Sequence, residues 1–128
     1  MQIFKTPSFE GRTKALGITD EQLEKAVEEI DDGLHDGNLG GGLFKKRVAR
    51  PNQGKSGSYR TFIAYKEGKH AVYLYALAKN ERDNITKKEK EALKQLAKSV
   101  LSLSDKKLQE QLEEAALIRV VSRRQDDE

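Results

Sequence analysis

Three segments follow one another so closely that they can pair only antiparallel: Leu43 to Arg50, Ser58 to Lys66 and His70 to Lys79. A parallel crossover needs a dozen or more residues, and neither link supplies them. The second link, Lys66-Glu67-Gly68-Lys69, has the makings of a tight turn, since Gly68 can take a positive φ. A three-stranded meander therefore occupies the middle of the chain, and the remaining segments must cover its faces.

The N-terminal flank predicts a short strand at residues 2–6 that ends at Pro7, then a short helix over Ser8 to Leu16. A better-defined helix follows, with Thr19 as N-cap and Asp20 and Glu21 in its first turn. Leu23, Ala26, Val27 and Ile30 recur at helical spacing and Leu34 closes the stripe, so this helix packs on the sheet. Gly33, Gly37 and Gly40 to Gly42 read as a helix end leading into a loop. Beyond the meander, Asn84 to Thr86 open a helix with the stripe Leu93, Leu96, Ala97, Val100 and Leu101 among lysines. Ser104 caps a further helix with Leu108, Leu112 and Ala115 or Ala116 inward. Leu117 to Val121 predicts a last short strand, and RRQDDE a frayed tail. The class is α+β: an antiparallel sheet packed on N-terminal helices, followed by a C-terminal helical extension.

A chain of 128 residues suits one domain with a modest core. The absence of cysteine excludes disulfides and thiolate metal sites and fits a reducing cytoplasm. The two histidines, His35 and His70, are far apart, so no metal and no cofactor is expected; both read as exposed loop or turn residues. The opening MQIFKTPSF lacks a secretory apolar run, and no window approaches the roughly 20 apolar residues of a bilayer span. The protein is read as cytoplasmic, with no membrane partner.

Charge is where function begins to show. The net charge is only +3, yet residues 43 to 82 hold ten Lys or Arg against Glu67 and Glu81, while the rest of the chain holds 14 basic and 19 acidic residues. A polyanion meets one attractive face. Strand alternation puts Lys45 and Arg47 on one side of the first meander strand and Phe44 and Val48 on the other. With Arg60 on the second strand and Lys79 ending the third, these cations converge on one patch, and Lys46, Arg50, Lys55 and Tyr59 become candidate RNA contacts. Phosphates bind Lys and Arg, and unpaired bases stack on aromatic or guanidinium planes. Such a patch also has the means to cleave RNA. The reaction needs the 2′-hydroxyl deprotonated, the phosphorane charge stabilised and the leaving 5′-oxygen protonated, and a lysine crowded by cations releases its proton more readily. From spacing alone, a passive nucleic-acid or ribosome surface is favoured over a nuclease. A nucleotide-binding loop is rejected: Gly54-Lys55-Ser56 lacks the earlier glycine of that motif, position 49 being Ala, and it runs into a strand. Glu81, an acid inside the basic region, reads as an ion-pair partner of Arg82 or Lys79, with a general-base role as the alternative.

Three blocks in fixed order, Gly41-Gly42-Leu43-Phe44-Lys45-Lys46-Arg47-Val48, Lys55-Ser56-Gly57-Ser58-Tyr59-Arg60 and Ala78-Lys79-Asn80-Glu81-Arg82, resemble the RelE/ParE superfamily of bacterial toxins, in its RelE-like and HigB-like branch. The resemblance runs from about Gly40 to about Leu103. It implies a small α+β microbial RNase fold that cuts messenger RNA without a metal, often on the translating ribosome. It also implies a cognate antitoxin, of helix-turn-helix type and encoded next door, that masks the toxin. On this basis residues 1–103 form the toxin domain and 104–128 an extension of it. Carried over residue by residue, the resemblance makes Lys45, Arg47, Arg60, Lys79 and Arg82 the catalytic candidates. The chain departs from the pattern at Asn80, where an arginine is expected, and at Thr86, where a tyrosine is expected, which leaves the general acid and base unassigned. The competing readings are a ParE-like inhibitor of DNA gyrase and a non-catalytic RNA-binding accessory protein.

Overall fold

The computed structural model describes residues 1–14, 17–49, 58–78, 82 and 84–121. The meander is present as β3 (Leu43–Val48), β4 (Tyr59–Tyr65) and β5 (His70–Ala78), paired antiparallel with Val48 opposite Tyr59 and Tyr65 opposite Ala71. Gly68 carries the β4–β5 turn with φ +76°, and the Lys69 amide donates to the Lys66 carbonyl at 3.0 Å.

The N-terminal strand β1 (Gln2–Lys5) joins the other side of β5, in parallel, and stops where Thr6 caps α1 (Pro7–Thr13) with proline in the first turn. The sheet is thus antiparallel except for this one pair. Thr19 and Gln22 form a reciprocal capping box at the start of α2 (Asp20–Asp31), which buries Leu23, Ala26, Val27 and Ile30. At its other end the Gly33 amide donates to the Ile30 carbonyl and the Leu34 amide to the Glu29 carbonyl, with Gly33 at φ +85°. This is a Schellman termination. It turns Leu34 out of the stripe, and Leu34 is 58% exposed where the periodicity placed it in the core.

The glycine-rich stretch that follows is a strand instead of a loop. β2 (Gly37–Gly40) pairs with β3, and Gly41 and Gly42, at φ +65° and +86°, make a two-residue turn with both positions left-handed. That combination is the hairpin turn whose twist matches its strands, and it is open to glycine at little cost. C-terminal to the meander, Thr86 and Glu89 box-cap α3 (Lys87–Leu101), and Ser104 caps α4 (Asp105–Glu113). Ala97, Val100, Leu101 and Leu108 are buried, but Leu96 is 41% exposed on the flank of α3. Ala115 and Ala116 are exposed as well, because α4 ends at Glu113 and the chain turns through a left-handed Ala115. β6 (Ile118–Arg119) then pairs antiparallel with β1 and completes the order β2-β3-β4-β5-β1-β6.

Two cores result, one on each face of the sheet. Ile3, Phe9, Leu23, Val27, Ile30, Ile63 and Tyr73 pack beneath α1 and α2. Phe4, Leu43, Phe62, Leu74, Leu77, Ala97, Leu101 and Leu108 pack beneath α3 and α4. His70 belongs to this second side: it is 3% exposed, with Nε2 2.7 Å from the Val100 carbonyl oxygen, so it is a structural histidine and not a surface one. β5 contains an irregularity that alternation does not foresee. Phe62 faces Tyr75 but Ile63 faces Tyr73, which leaves Leu74 as an extra residue, and Leu74 and Tyr75 both turn toward the α3 side. Among the described residues no helix is long and apolar enough to cross a membrane.

Candidate nucleic-acid interface

The α3 side of the sheet is ordered in rows set by strand register. Leu43, Ala64 and Val72 form a fully buried row under α3. The next row is Lys45, Phe62 and Tyr75, and the one beyond it is Arg47, Arg60 and Leu77. Cover is lost in that direction: Lys45, Arg60 and Tyr75 are half-buried and Arg47 is exposed. A cationic shelf therefore continues directly from the floor of the second core.

Arg47 and Arg60 are direct cross-strand partners. Like charges in that position destabilise a sheet. Among the described residues neither they nor Lys45 forms an ion pair. Asp36 engages only the backbone here, accepting from the Arg47 amide at 2.6 Å. A pair of arginines kept opposite each other with no described carboxylate between them is a poor structural element and a good anion receptor.

The remaining candidates divide by location. Lys46 points to the opposite face, where its ammonium lies 3.3 Å from Glu29 Oε1 and donates to the Leu34 carbonyl at 3.0 Å; it is 9% exposed. Tyr59 is 2% exposed in the core beneath α2, so it offers no ring to a base. Arg82 makes two hydrogen bonds to the Glu89 carboxylate, at 2.6 and 2.5 Å, and a third to the Tyr75 hydroxyl at 3.3 Å. These Arg82 bonds, reinforced by the Thr86 amide, pull the Glu89 carboxyl down to about 2, while Glu89 and then Tyr75 hold the Arg82 proton more firmly than usual. Among the described residues the carboxylate partner of Arg82 is Glu89, on the first turn of α3. Arg50, Lys55, Lys79, Asn80 and Glu81 lie outside the described residues. Thr86 has a clear task of its own: its hydroxyl accepts from the Glu89 amide and caps α3.

Two residues at the rim were not among the sequence candidates. Tyr75 reaches it because of the bulge at Leu74. Arg12, from α1, lies along the part of β5 that β1 does not cover: its Nε donates to the Ala76 carbonyl at 2.7 Å, and its guanidinium sits 4.7 Å from the centroid of the Tyr75 ring. Its place follows from β1 pairing with β5 only as far as Tyr73, a boundary that the sequence does not announce. Chemically the shelf can bind phosphate oxygens, present a lysine amine and a phenol, and support an oligonucleotide backbone. No cluster of three or more His, Asp or Glu that could hold a metal occurs among the described residues.

Comparison with curated proteins gives no match. The sequence does match the family model for the RelE toxin of the RelE/RelB toxin-antitoxin system, over residues 1–120. That span takes in every described strand and helix, including the flanking helices and β6, and the cationic shelf lies within it. The chain belongs to the RelE toxin family and is the toxin of a toxin-antitoxin system, with a cognate antitoxin as its partner.

Proposed function

We propose that this toxin is a metal-independent endoribonuclease that cuts messenger RNA on the translating ribosome and so stops protein synthesis in the cytoplasm. The observation that carries the reading is the facing Arg47–Arg60 pair beside Lys45, none of the three forming an ion pair among the described residues. Two facing guanidinium groups can hold the non-bridging oxygens of one phosphate and take up the negative charge that grows on them as a phosphorane forms. Lys45, in the adjacent row, accepts the 2′-hydroxyl proton. The 2′-oxygen attacks phosphorus and the 5′-oxygen leaves, giving a 2′,3′-cyclic phosphate and a 5′-hydroxyl end. Lys79, Arg50 and Lys55 join the site on sequence grounds, and Arg82 borders it with its charge already shared by Glu89. The antitoxin, in this reading a helix-turn-helix protein with an acidic segment, silences the toxin by covering the shelf.

The test is purified toxin on ribosomes programmed with a defined messenger, with end mapping of the fragments. Cuts bearing 2′,3′-cyclic phosphates in the wild type, and none in an Arg60→Ala variant that still binds the ribosome, are expected. An intact messenger in the wild type, or fragments ending in 3′-hydroxyls, overturns the reading.

A further inference from the structure

We propose that Tyr75 is the general acid of this site, giving its phenolic proton to the leaving 5′-oxygen; the inference rests on the RNA-cleavage reading and deepens it. Strict alternation would put Tyr73 and Tyr75 on the same face of β5. The bulge at Leu74 separates them. Tyr73 stays fully buried beneath α2 with its hydroxyl spent on the Leu23 carbonyl at 2.6 Å, whereas Tyr75 turns to the cationic shelf and remains half-exposed.

The register then fixes its place relative to Lys45. Lys45, Phe62 and Tyr75 are successive cross-strand partners, so the lysine and the tyrosine stand in one row with two strand spacings, about 10 Å, between their backbones. Displacement at phosphorus is in line, with the attacking 2′-oxygen and the departing 5′-oxygen on opposite sides. A proton acceptor and a proton donor, each within about 3 Å of its oxygen, must flank the phosphate from two sides. Lys45 and Tyr75 flank the row in that way, and Arg47 and Arg60 in the next row face the oxygens between them.

The phenol is also held as a proton donor has to be. Its ring is fixed by Phe62, with centroids 6.3 Å apart, and by the Arg12 guanidinium. Its oxygen accepts from Arg82 Nη2, and among the described residues no hydrogen bond uses its proton. In the step, the O2′–P bond forms and the P–O5′ bond breaks. The 2′ proton passes to the Lys45 amine and the Tyr75 proton to the 5′-oxygen. The phenolate left behind is stabilised by Arg82 and regains a proton from solvent, while Lys45 returns its own.

Tyr75→Phe keeps the ring and removes only the hydroxyl. Its cleavage on programmed ribosomes should fall by about 100-fold or more, with ribosome binding and the thermal melting curve unchanged. A second messenger carries sulfur in place of the 5′-bridging oxygen at the cut linkage. A thiolate leaves without a proton, so there the variant should match the wild type. Full activity of Tyr75→Phe on the oxygen substrate overturns the proposal, and an equal loss on both substrates assigns the hydroxyl to positioning instead of proton donation and overturns it too. A wild type that cuts neither messenger fails earlier, at the RNA-cleavage reading, and removes this inference with it.

Discussion

Arg60→Gln should make the protein more stable and less active at once. In the native sheet Arg60 sits directly opposite Arg47, and no described carboxylate pairs with either side chain. Long side chains can splay until their charges are about 8 Å apart. Coulomb repulsion at that distance is about 0.5 kcal/mol in water and about 2 kcal/mol at an effective dielectric of about 20. Both groups reach solvent, so the lower part of that range applies, about 0.5–1 kcal/mol. Glutamine keeps most of the aliphatic stem, and little packing is lost. Urea unfolding at low salt should show a gain of about 0.5–1 kcal/mol. The gain should disappear near 1 M salt, where the Debye length is about 3 Å. The same variant should cleave about 100-fold more slowly, because the phosphorane loses one of its donors. A loss of more than about 1 kcal/mol at low salt would refute the reasoning, since Arg60 would then be satisfying a structural partner instead of straining against Arg47.

Three further outcomes follow from particular contacts. At Gly42, with φ +86°, an added Cβ runs into Leu101 Cδ1, whereas at Gly41 it meets, among the described residues, Lys94 Cε at 3.9 Å. Gly42→Ala should therefore cost about 2–4 kcal/mol in urea unfolding and Gly41→Ala about 1 kcal/mol, and equal costs would mean that α3 does not rest on the hairpin turn. Glu89 should titrate at about 2 in a carboxyl-resolved NMR experiment, and Arg82→Gln should move it back toward the ordinary 4.5. Because its folded value is depressed, the help Glu89 gives to α3 is complete above its unfolded value and is lost as the pH falls through about 2; a wild-type midpoint near 4.5 contradicts the Arg82 link. Lys46→Met should lose about 1–2 kcal/mol of stability with its bonds to Glu29 and Leu34, while cleavage per folded molecule stays at the wild-type level; a stable but inactive variant would move Lys46 into the site.

The meander and the helix starts were legible because local chemistry and tertiary structure agree there. Thr19, Thr86 and Ser104 cap helices as their hydroxyls allow, and Gly68 turns the chain between β4 and β5. β2 was not legible. Gly-Asn-Leu-Gly has little intrinsic strand preference, and it is held by pairing with β3 and by the two left-handed glycines after it. Leu34 and Leu96 show where periodicity stops being informative: one lies past a Schellman turn, the other on the flank of a helix buried along only part of its circumference. Alternation placed Lys45 and Arg47 together correctly, and the same alternation sends Lys46 to α2 and puts Tyr59, the neighbour of Arg60, in the core. Tyr75 lay beyond reach because one extra residue in β5 reverses the parity of the strand, and no residue type in Tyr-Leu-Tyr announces it.

The most direct measurement is induction of the toxin in a bacterial host, with transcript ends mapped while protein and DNA synthesis are followed in the same culture. The account predicts that protein synthesis stops within minutes as new 5′-hydroxyl ends appear inside translated messages, that DNA synthesis continues through this interval, and that Arg60→Ala produces none of these changes. Intact messages together with an early arrest of DNA synthesis would contradict it and favour a gyrase poison, and intact messages with slowed translation would leave a ribosome-binding protein without catalysis.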